Sequence, residues 1–299
     1  MRRVVVALGN FDGAHLGHQE VLRRAVEEGR RRGLSVVAAT FHPHPRAVLG
    51  AGEAPRLLTP LGLRREVLLG YGADRVVEIP FDRDLSRKSP EQFVRDVLVG
   101  ELGAGVVVVG ENFRFGHRAA GDFEELRRLM REAGGEAVGV GVRGAAGGEG
   151  ISSTRIRAMI SEGRVAEAAG LLGRPYTLRG EVVEGDRRGR SIGFPTANVV
   201  PDAEAVVPAR GVYAGFVSFG EERYAACTNV GTAPTFGRTE SRIEAYLLDF
   251  ERDLYGRVVD VSFVGRIREE RRFAGVEQLV QQIQRDVAEA RRMVEEALL

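Results

Sequence analysis

The sequence predicts an α/β domain built on a parallel sheet, followed by an all-β domain: a small antiparallel barrel with a long C-terminal helix. Short β-branched runs alternate with amphipathic stretches through the first half, the pattern of a sheet covered by helices on both faces. Near Gly173-Arg174-Pro175 the alternation gives way to strands separated by Gly, Pro and Asp turns, and the chain ends on one periodic helical segment. A length of 299 residues suits two ordinary domains, divided here as 1–173 and 174–299.

In order, the first-half strands are expected at Val4–Leu8, Ser35–Thr40, Arg75–Ile79, Val106–Val109 and Ala137–Val142. Helices are expected at Gly17–Arg32, Leu63–Leu69, Pro90–Val99 and Phe123–Ala133, then at Thr154–Ser161 and Val165–Leu172. The strands are almost wholly apolar, as strands buried on both sides are. In the second half, strands are expected at Thr177–Glu184, Gly211–Phe219, Arg223–Val230, Arg242–Asp249 and Val258–Gly265, with a helix at Val276–Leu298. The Gly-rich stretch Gly144–Gly150 reads as a mobile loop.

Apolar residues make up 43% and charged residues 28%, and no apolar run approaches the roughly 20 residues that span a bilayer. The run Val4–Leu8 is too short for a signal-peptide core, so the expected location is the cytoplasm, with no membrane partner. A net charge of +1 gives no nucleic-acid footprint, and the small barrel therefore carries no expectation of single-strand binding. Cys227, the only cysteine, excludes an internal disulfide and reads as a small buried hydrophobe. All five histidines (His15, His18, His42, His44, His117) precede residue 118, so a proton acceptor in the second half must be a carboxylate. Arg30, Arg31 and Arg32 offset the dipole at the end of a helix, and His117 reads as a solvated loop residue.

Gly9-Asn10-Phe11-Asp12-Gly13-Ala14-His15-Leu16-Gly17-His18 follows the first strand and opens the first helix. Two histidines three apart at a helix start share a side, beside unpaired N–H groups and the positive dipole end. This is a phosphate cradle, with Gly17 letting a nucleotide approach the backbone. Without a nucleophile, the chemistry is attack on an α-phosphate governed by positioning and charge stabilisation. A His-x-x-His metal site is the competing reading, and the Pro-flanked His42 and His44 read equally as turn-shaping residues.

The string resembles the His-x-Gly-His signature of the nucleotidyltransferase superfamily, and in its longer form that of the FAD synthetase branch. That family pairs it with Ser-Ser-Thr-Arg, matched by Ser152, Ser153, Thr154 and Arg155, which the resemblance assigns to the β- and γ-phosphates. Thr40-Phe41-His42-Pro43-His44-Pro45 and Gly110-Glu111-Asn112-Phe113-Arg114-Phe115-Gly116 match further family strings; Asn112 would line the flavin and adenine pocket. The first domain is thereby expected to be a Rossmann-like nucleotidyltransferase that adenylylates FMN, with Gly9, Asn10, Gly17, Ser153, Thr154 and Arg155 on ATP, and His15, His18 and Asn112 at the reaction.

In the second half the string Gly185 through Asn198 stands out. Its glycines let the backbone close over phosphates, Thr196 offers a hydroxyl to Mg²⁺ and Asn198 an amide to metal shell or phosphate; it lacks the lysine of a P-loop. Gly189-Arg190-Ser191-Ile192-Gly193-Phe194-Pro195-Thr196-Ala197-Asn198 is similar to the signature of riboflavin kinase, with Pro208 through Tyr213, Asn229 through Thr235 and Glu244 through Phe250 following in family order. The resemblance implies a riboflavin kinase barrel with Glu244 as the base that takes the ribityl 5′-hydroxyl proton, Gly189, Gly193, Thr196 and Asn198 on the nucleotide, and Thr196 on metal. Read from its strand alone, Glu244 is a solvent-face residue, and Asp249 a strand-end turn.

The whole chain is thus expected to convert riboflavin to FMN and FMN to FAD with magnesium and ATP, with small molecules its only partners. The rivals are a lone adenylyltransferase with a decayed barrel and a flavin-sensing or nucleic-acid-binding regulator.

Overall fold

A computed structural model describes residues 3–50, 54–141, 150–185, 189, 192–235 and 238–298. The stretch 144–149, read above as a loop, lies outside the described residues, as do 186–188 and 190–191 of the second motif. The chain forms two compact units, Met1–Ser153 and Thr154–Leu299.

The first unit holds β1 (Val4–Leu8), α1 (Leu16–Arg32), β2 (Val36–His42), α2 (Pro45–Leu49), α3 (Leu61–Gly70), β3 (Arg75–Pro80), α4 (Arg83–Arg87), α5 (Pro90–Gln92), β4 (Ala104–Gly110), α6 (Phe123–Glu132) and β5 (Glu136–Val140). The strands form one parallel sheet in the order β3-β2-β1-β4-β5. Alternate strand residues feed opposite faces. Val5, Ala7, Val106 and Val108 meet Val21, Leu22 and Ala25 of α1 and Leu68 of α3. Val6, Leu8, Val107 and Val109 meet Phe93, Leu98, Leu126 and Met130 on the other face. The expected helix Pro90–Val99 begins as α5 and continues as a π-helix over Phe93–Glu101, ending where Leu102 N–H bonds the Val97 carbonyl at 2.9 Å. Its buried Phe93, Val94, Val97 and Leu98 fit either helix type, so their spacing carries no sign of the wider turn.

Winding runs outward from β1 to β3 and then restarts on the other side of β1 at β4. The carboxyl ends of β1 and β4 are therefore the switch point of the sheet, where ligands of such folds bind. The segments following Leu8 and Gly110 leave the sheet there side by side.

The second unit carries most of α7 (Ser153–Ser161), α8 (Val165–Leu172), β6 (Tyr176–Val183), β7 (Ala197–Pro201), β8 (Gly211–Phe219), β9 (Glu222–Thr235), β10 (Arg238–Leu247), β11 (Val258–Arg268) and α9 (Val276–Glu296). The six strands close a barrel in the order β10-β7-β6-β11-β8-β9, antiparallel throughout. Tyr176, Tyr213 and Phe263 are fully buried and pack ring against ring. The second motif hides a strand: β7, absent from the sequence reading because Pro195 and Asn198 speak for a turn, joins β10 to β6 and completes the closure. Helix α9 covers β8 and β9, with Ala290 and Val294 against Val212, Ala214, Phe216 and Cys227. Its buried Asp286 receives Arg268 Nη2 at 2.7 Å, and burial pushes the Cys227 thiol up to about 12, a hydrophobe as expected.

Candidate active sites

Beyond β1 the backbone turns through Phe11 (φ 48°), Gly13 (φ 84°) and Ala14 (φ 41°) before His15 caps α1. Left-handed conformations at Phe11 and Ala14 persist only where the surroundings hold them. Here Asp12, 1% exposed, accepts the Leu58 and Thr59 N–H groups on Oδ1 at 2.9 and 3.0 Å. The Gly13 N–H donates to Thr59 Oγ1 at 2.8 Å, and the Asn10 carbonyl accepts Thr40 Oγ1 at 2.9 Å and Arg64 Nη1 at 3.1 Å.

The turn delivers His15 and His18 as a stacked pair, centroids 3.7 Å apart and planes 15° apart, with Phe11 edge-on to His18 at 5.3 Å. His15 Nδ1 accepts the His18 backbone N–H at 3.3 Å, so a neutral His15 carries its proton on Nε2 and presents a donor. Burial pushes the His15 imidazole down to about 4; burial, then His15 and Arg64, hold His18 well below the usual histidine range. At neutral pH the pair is therefore uncharged, with hydrogen bonds rather than positive charge to offer. Stacked rings do not converge on a common point, which disfavours the metal reading, and among the described residues no group of three or more His, Cys, Asp or Glu is placed to hold a metal. A Cβ at Gly17 would stand 3.2 Å from His15 Cε1, so the ring stack accounts for that glycine. Gly9 lies in the same way against the Phe11 ring.

Ser153, from the distant string, donates its hydroxyl to the Asp12 carbonyl at 2.8 Å. Thr154 and Arg155 follow it on α7 as the first residues of the second compact unit. Asn112 is exposed beyond β4, its Oδ1 folded back to 2.9 Å from where a Gly110 Cβ would stand. His44 caps α2, accepting the Arg46 N–H at 3.2 Å, a turn-shaping role. His117 is exposed yet anchored: its Nδ1 bonds the Ser86 carbonyl at 3.0 Å and its N–H the Lys88 carbonyl at 2.8 Å.

The second cluster lies on the outer face of the barrel. Glu244 on β10 stands opposite Asn198 on β7 and Asn229 on β9, and directly paired residues project to the same side. Ile243 and Ala245, between which Glu244 sits, are fully buried in the interior. Arg242, on the Glu244 face, donates to Asn198 Oδ1 at 3.0 Å and stands 2.9 Å from Glu244 Oε1. The Gly189 carbonyl accepts the Phe194 N–H at 2.8 Å, closing a turn through Gly193 (φ 86°), and a Gly189 Cβ would stand 3.6 Å from Thr196 Oγ1. Gly185 runs beneath the Asn198 amide, where a Cβ would come within 2.3 Å of Nδ2. Asp249, at φ 58° just after β10, turns the strand end as expected and pairs with Arg291.

Family models match both clusters in turn: FAD synthetase over residues 1–155 and riboflavin kinase over residues 172–294. The bifunctional riboflavin kinase/FMN adenylyltransferase of Escherichia coli K12 is 40% identical over 288 residues, 96% of this chain and 91% of that protein. The chain belongs to the bifunctional riboflavin kinase/FMN adenylyltransferase family. The Bacillus subtilis member of that family is 37% identical over 291 residues, again 96% and 91% of the two chains. A solved Streptococcus pneumoniae structure named a macrolide-efflux protein shares the fold of this family member, with a TM-score of 0.89 and 35% identity over 97% of this chain and 94% of that one. Among the described residues no helix is long and apolar enough to cross a membrane.

Sequence reasoning missed Arg64, Thr59 and Arg242 as parts of these clusters, while Gly185 and Asn229 stood inside strings it had singled out without a role of their own. A signal existed for Arg242, which alternates onto the Glu244 face of its strand. Arg64 carried no such signal, since it stands beside Arg65 and Glu66 in its helix; its 3% exposure is a property of the fold.

Proposed function

We propose that this chain phosphorylates riboflavin to FMN at the barrel cluster and adenylylates FMN to FAD at the sheet cluster, releasing pyrophosphate. The observation that carries the reading is the separateness and difference of the two clusters: a neutral imidazole pair capping a helix in one unit, and a carboxylate ringed by amides and a guanidinium in the other. We assign 1–173 to adenylyl transfer and 174–299 to phosphorylation; the bond from Ser153 to the Asp12 turn ties the start of the Ser-Ser-Thr-Arg string to the first.

For adenylyl transfer, His15 Nε2–H and the first N–H groups of α1 donate to non-bridging phosphate oxygens, and the 17-residue helix adds its positive end. Neutral imidazoles suit this task because they follow the charge as it grows on the α-phosphate without a full countercharge to desolvate. Gly9, Asn10, Gly17, Ser153, Thr154 and Arg155 hold the rest of the nucleotide, and Asn112, at the adjoining strand end, contacts the flavin side.

For phosphorylation, Glu244 takes the proton of the ribityl hydroxyl, while Gly189, Gly193, Thr196 and Asn198 carry the nucleotide. Thr196 Oγ1 and the Asn198 amide are hard oxygen donors of the kind Mg²⁺ accepts beside phosphates and water, and Asn198 Oδ1 already accepts Arg242, which leaves Thr196 as the protein ligand. Thr196 would hold magnesium brought with ATP, which would supply neutralisation of phosphate charge there. The protein works in the cytoplasm on small molecules, without nucleic-acid or membrane partners, consistent with its net charge of +1. Purified protein given riboflavin and magnesium-ATP is expected to release FMN and then FAD, separated by chromatography. Neither product, with flavin oxidised or reduced, would overturn the reading.

A further inference from the structure

We propose that Arg64 is the positioning residue of the adenylyl-transfer site, its buried guanidinium holding the turn after β1 in the conformation that stacks His15 on His18. The inference rests on the reading of that histidine pair given above. Arg64 is 3% exposed, an unusual place for a guanidinium unless its donors are used. They are used on the turn and on what supports it. Nη1 donates to the Asn10 carbonyl at 3.1 Å and to Thr40 Oγ1 at 3.3 Å, and Nε and Nη2 donate to the Thr59 carbonyl at 3.2 and 3.0 Å. Nη2 stands 3.6 Å from Asp12 Oδ1, the same oxygen that accepts the Leu58 and Thr59 N–H groups.

Thr59 in turn takes the Gly13 N–H on its hydroxyl, and the Asp12 carbonyl takes the Ser153 hydroxyl. Asn10, Asp12 and Gly13 are thus all fixed to the segment around Arg64, bracketing Phe11 and ending beside Ala14, the residues at positive φ. A planar fork spans Asn10, Thr40 and Thr59 together; an ammonium, a point charge on a flexible stem, keeps the charge but not all of these bonds at once. The charge also reaches the histidines, since Arg64 is one of the groups that keep His18 neutral, after burial and His15. The geometry therefore links a residue outside the family strings to the position and the charge state of the imidazole pair.

The test uses the full chain with Arg64→Met and Arg64→Lys, and riboflavin phosphorylation as the internal control for folding and enzyme concentration. For Arg64→Met, kcat of FMN adenylylation is expected to fall roughly 10²-fold, the scale of a misplacement near 1 Å. Phosphorylation kcat should hold, and Arg64→Lys should recover part of the loss. In nitrogen-15 histidine spectra of Arg64→Met, His18 should gain its proton at higher pH than in the unaltered chain. Adenylylation at full kcat in Arg64→Met, equal losses in both reactions, or histidine spectra matching the unaltered chain would each overturn the proposal. Absence of adenylylation in the unaltered chain would instead refute the function assigned to this site, leaving the spectra to decide the positioning role.

Discussion

Arg242 Nη2 stands 2.9 Å from the Glu244 carboxylate while the same guanidinium donates to Asn198 Oδ1 at 3.0 Å. Arg242 is thus shared between the carboxylate of β10 and the amide oxygen paired with it on β7. Arg242→Ala is expected to lower kcat for riboflavin phosphorylation about 10-fold or more, less than the roughly 10²-fold or greater cost of losing a base outright. Arg242→Lys should restore part of it, and FMN adenylylation should be untouched. Steady-state kinetics on each reaction separately would check this; an unchanged phosphorylation rate in Arg242→Ala would remove the residue from the site.

Gly185 lies so close to the Asn198 amide that a methyl there meets Nδ2 at 2.3 Å and Cγ at 2.5 Å. Gly185→Ala must therefore displace the Asn198 side chain from its present position. Loss of most phosphorylation with FMN adenylylation intact is the expected result, read from the two rates in one preparation. Full phosphorylation would mean that Asn198 does not have to stand where it is.

The histidine pair makes the first unit sensitive to acid. His15 titrates at about 4 in the folded chain against an ordinary 6.5, so the unfolded chain binds its proton first. Stability from this group is complete above about 6.5 and is lost as pH falls toward 4, to an extent on the order of 3 kcal/mol at the acid end. Denaturant titrations of the unaltered protein and His15→Gln across that range should diverge, with the unaltered protein falling more steeply. Parallel curves would place His15 in a solvated environment instead.

Much of this was legible in residue order. His15 and His18 declare themselves because a three-residue spacing at a helix start puts both on one side, and the parallel sheet because β1, β2 and β4 are almost wholly apolar. Strand β7 was hidden because its flanking Gly-Phe-Pro-Thr speaks locally for a turn, while the need for it arises only from closing a barrel. Arg64 and Arg242 were hidden for a related reason. Arginine on a helix or strand usually lies at the surface, and burial or bridging of its head group depends on which residues the fold brings opposite. Ser153 was legible as part of a string, yet its bond to Asp12 joins positions 141 apart that no local pattern connects.

The central claim is that two unlike sites divide the chemistry of one chain, and paired variants test it most directly. With Glu244→Gln the protein should still turn FMN into FAD while forming no FMN from riboflavin, and with His15→Ala/His18→Ala it should form FMN and stop there. Loss of both reactions in either folded variant would contradict the account.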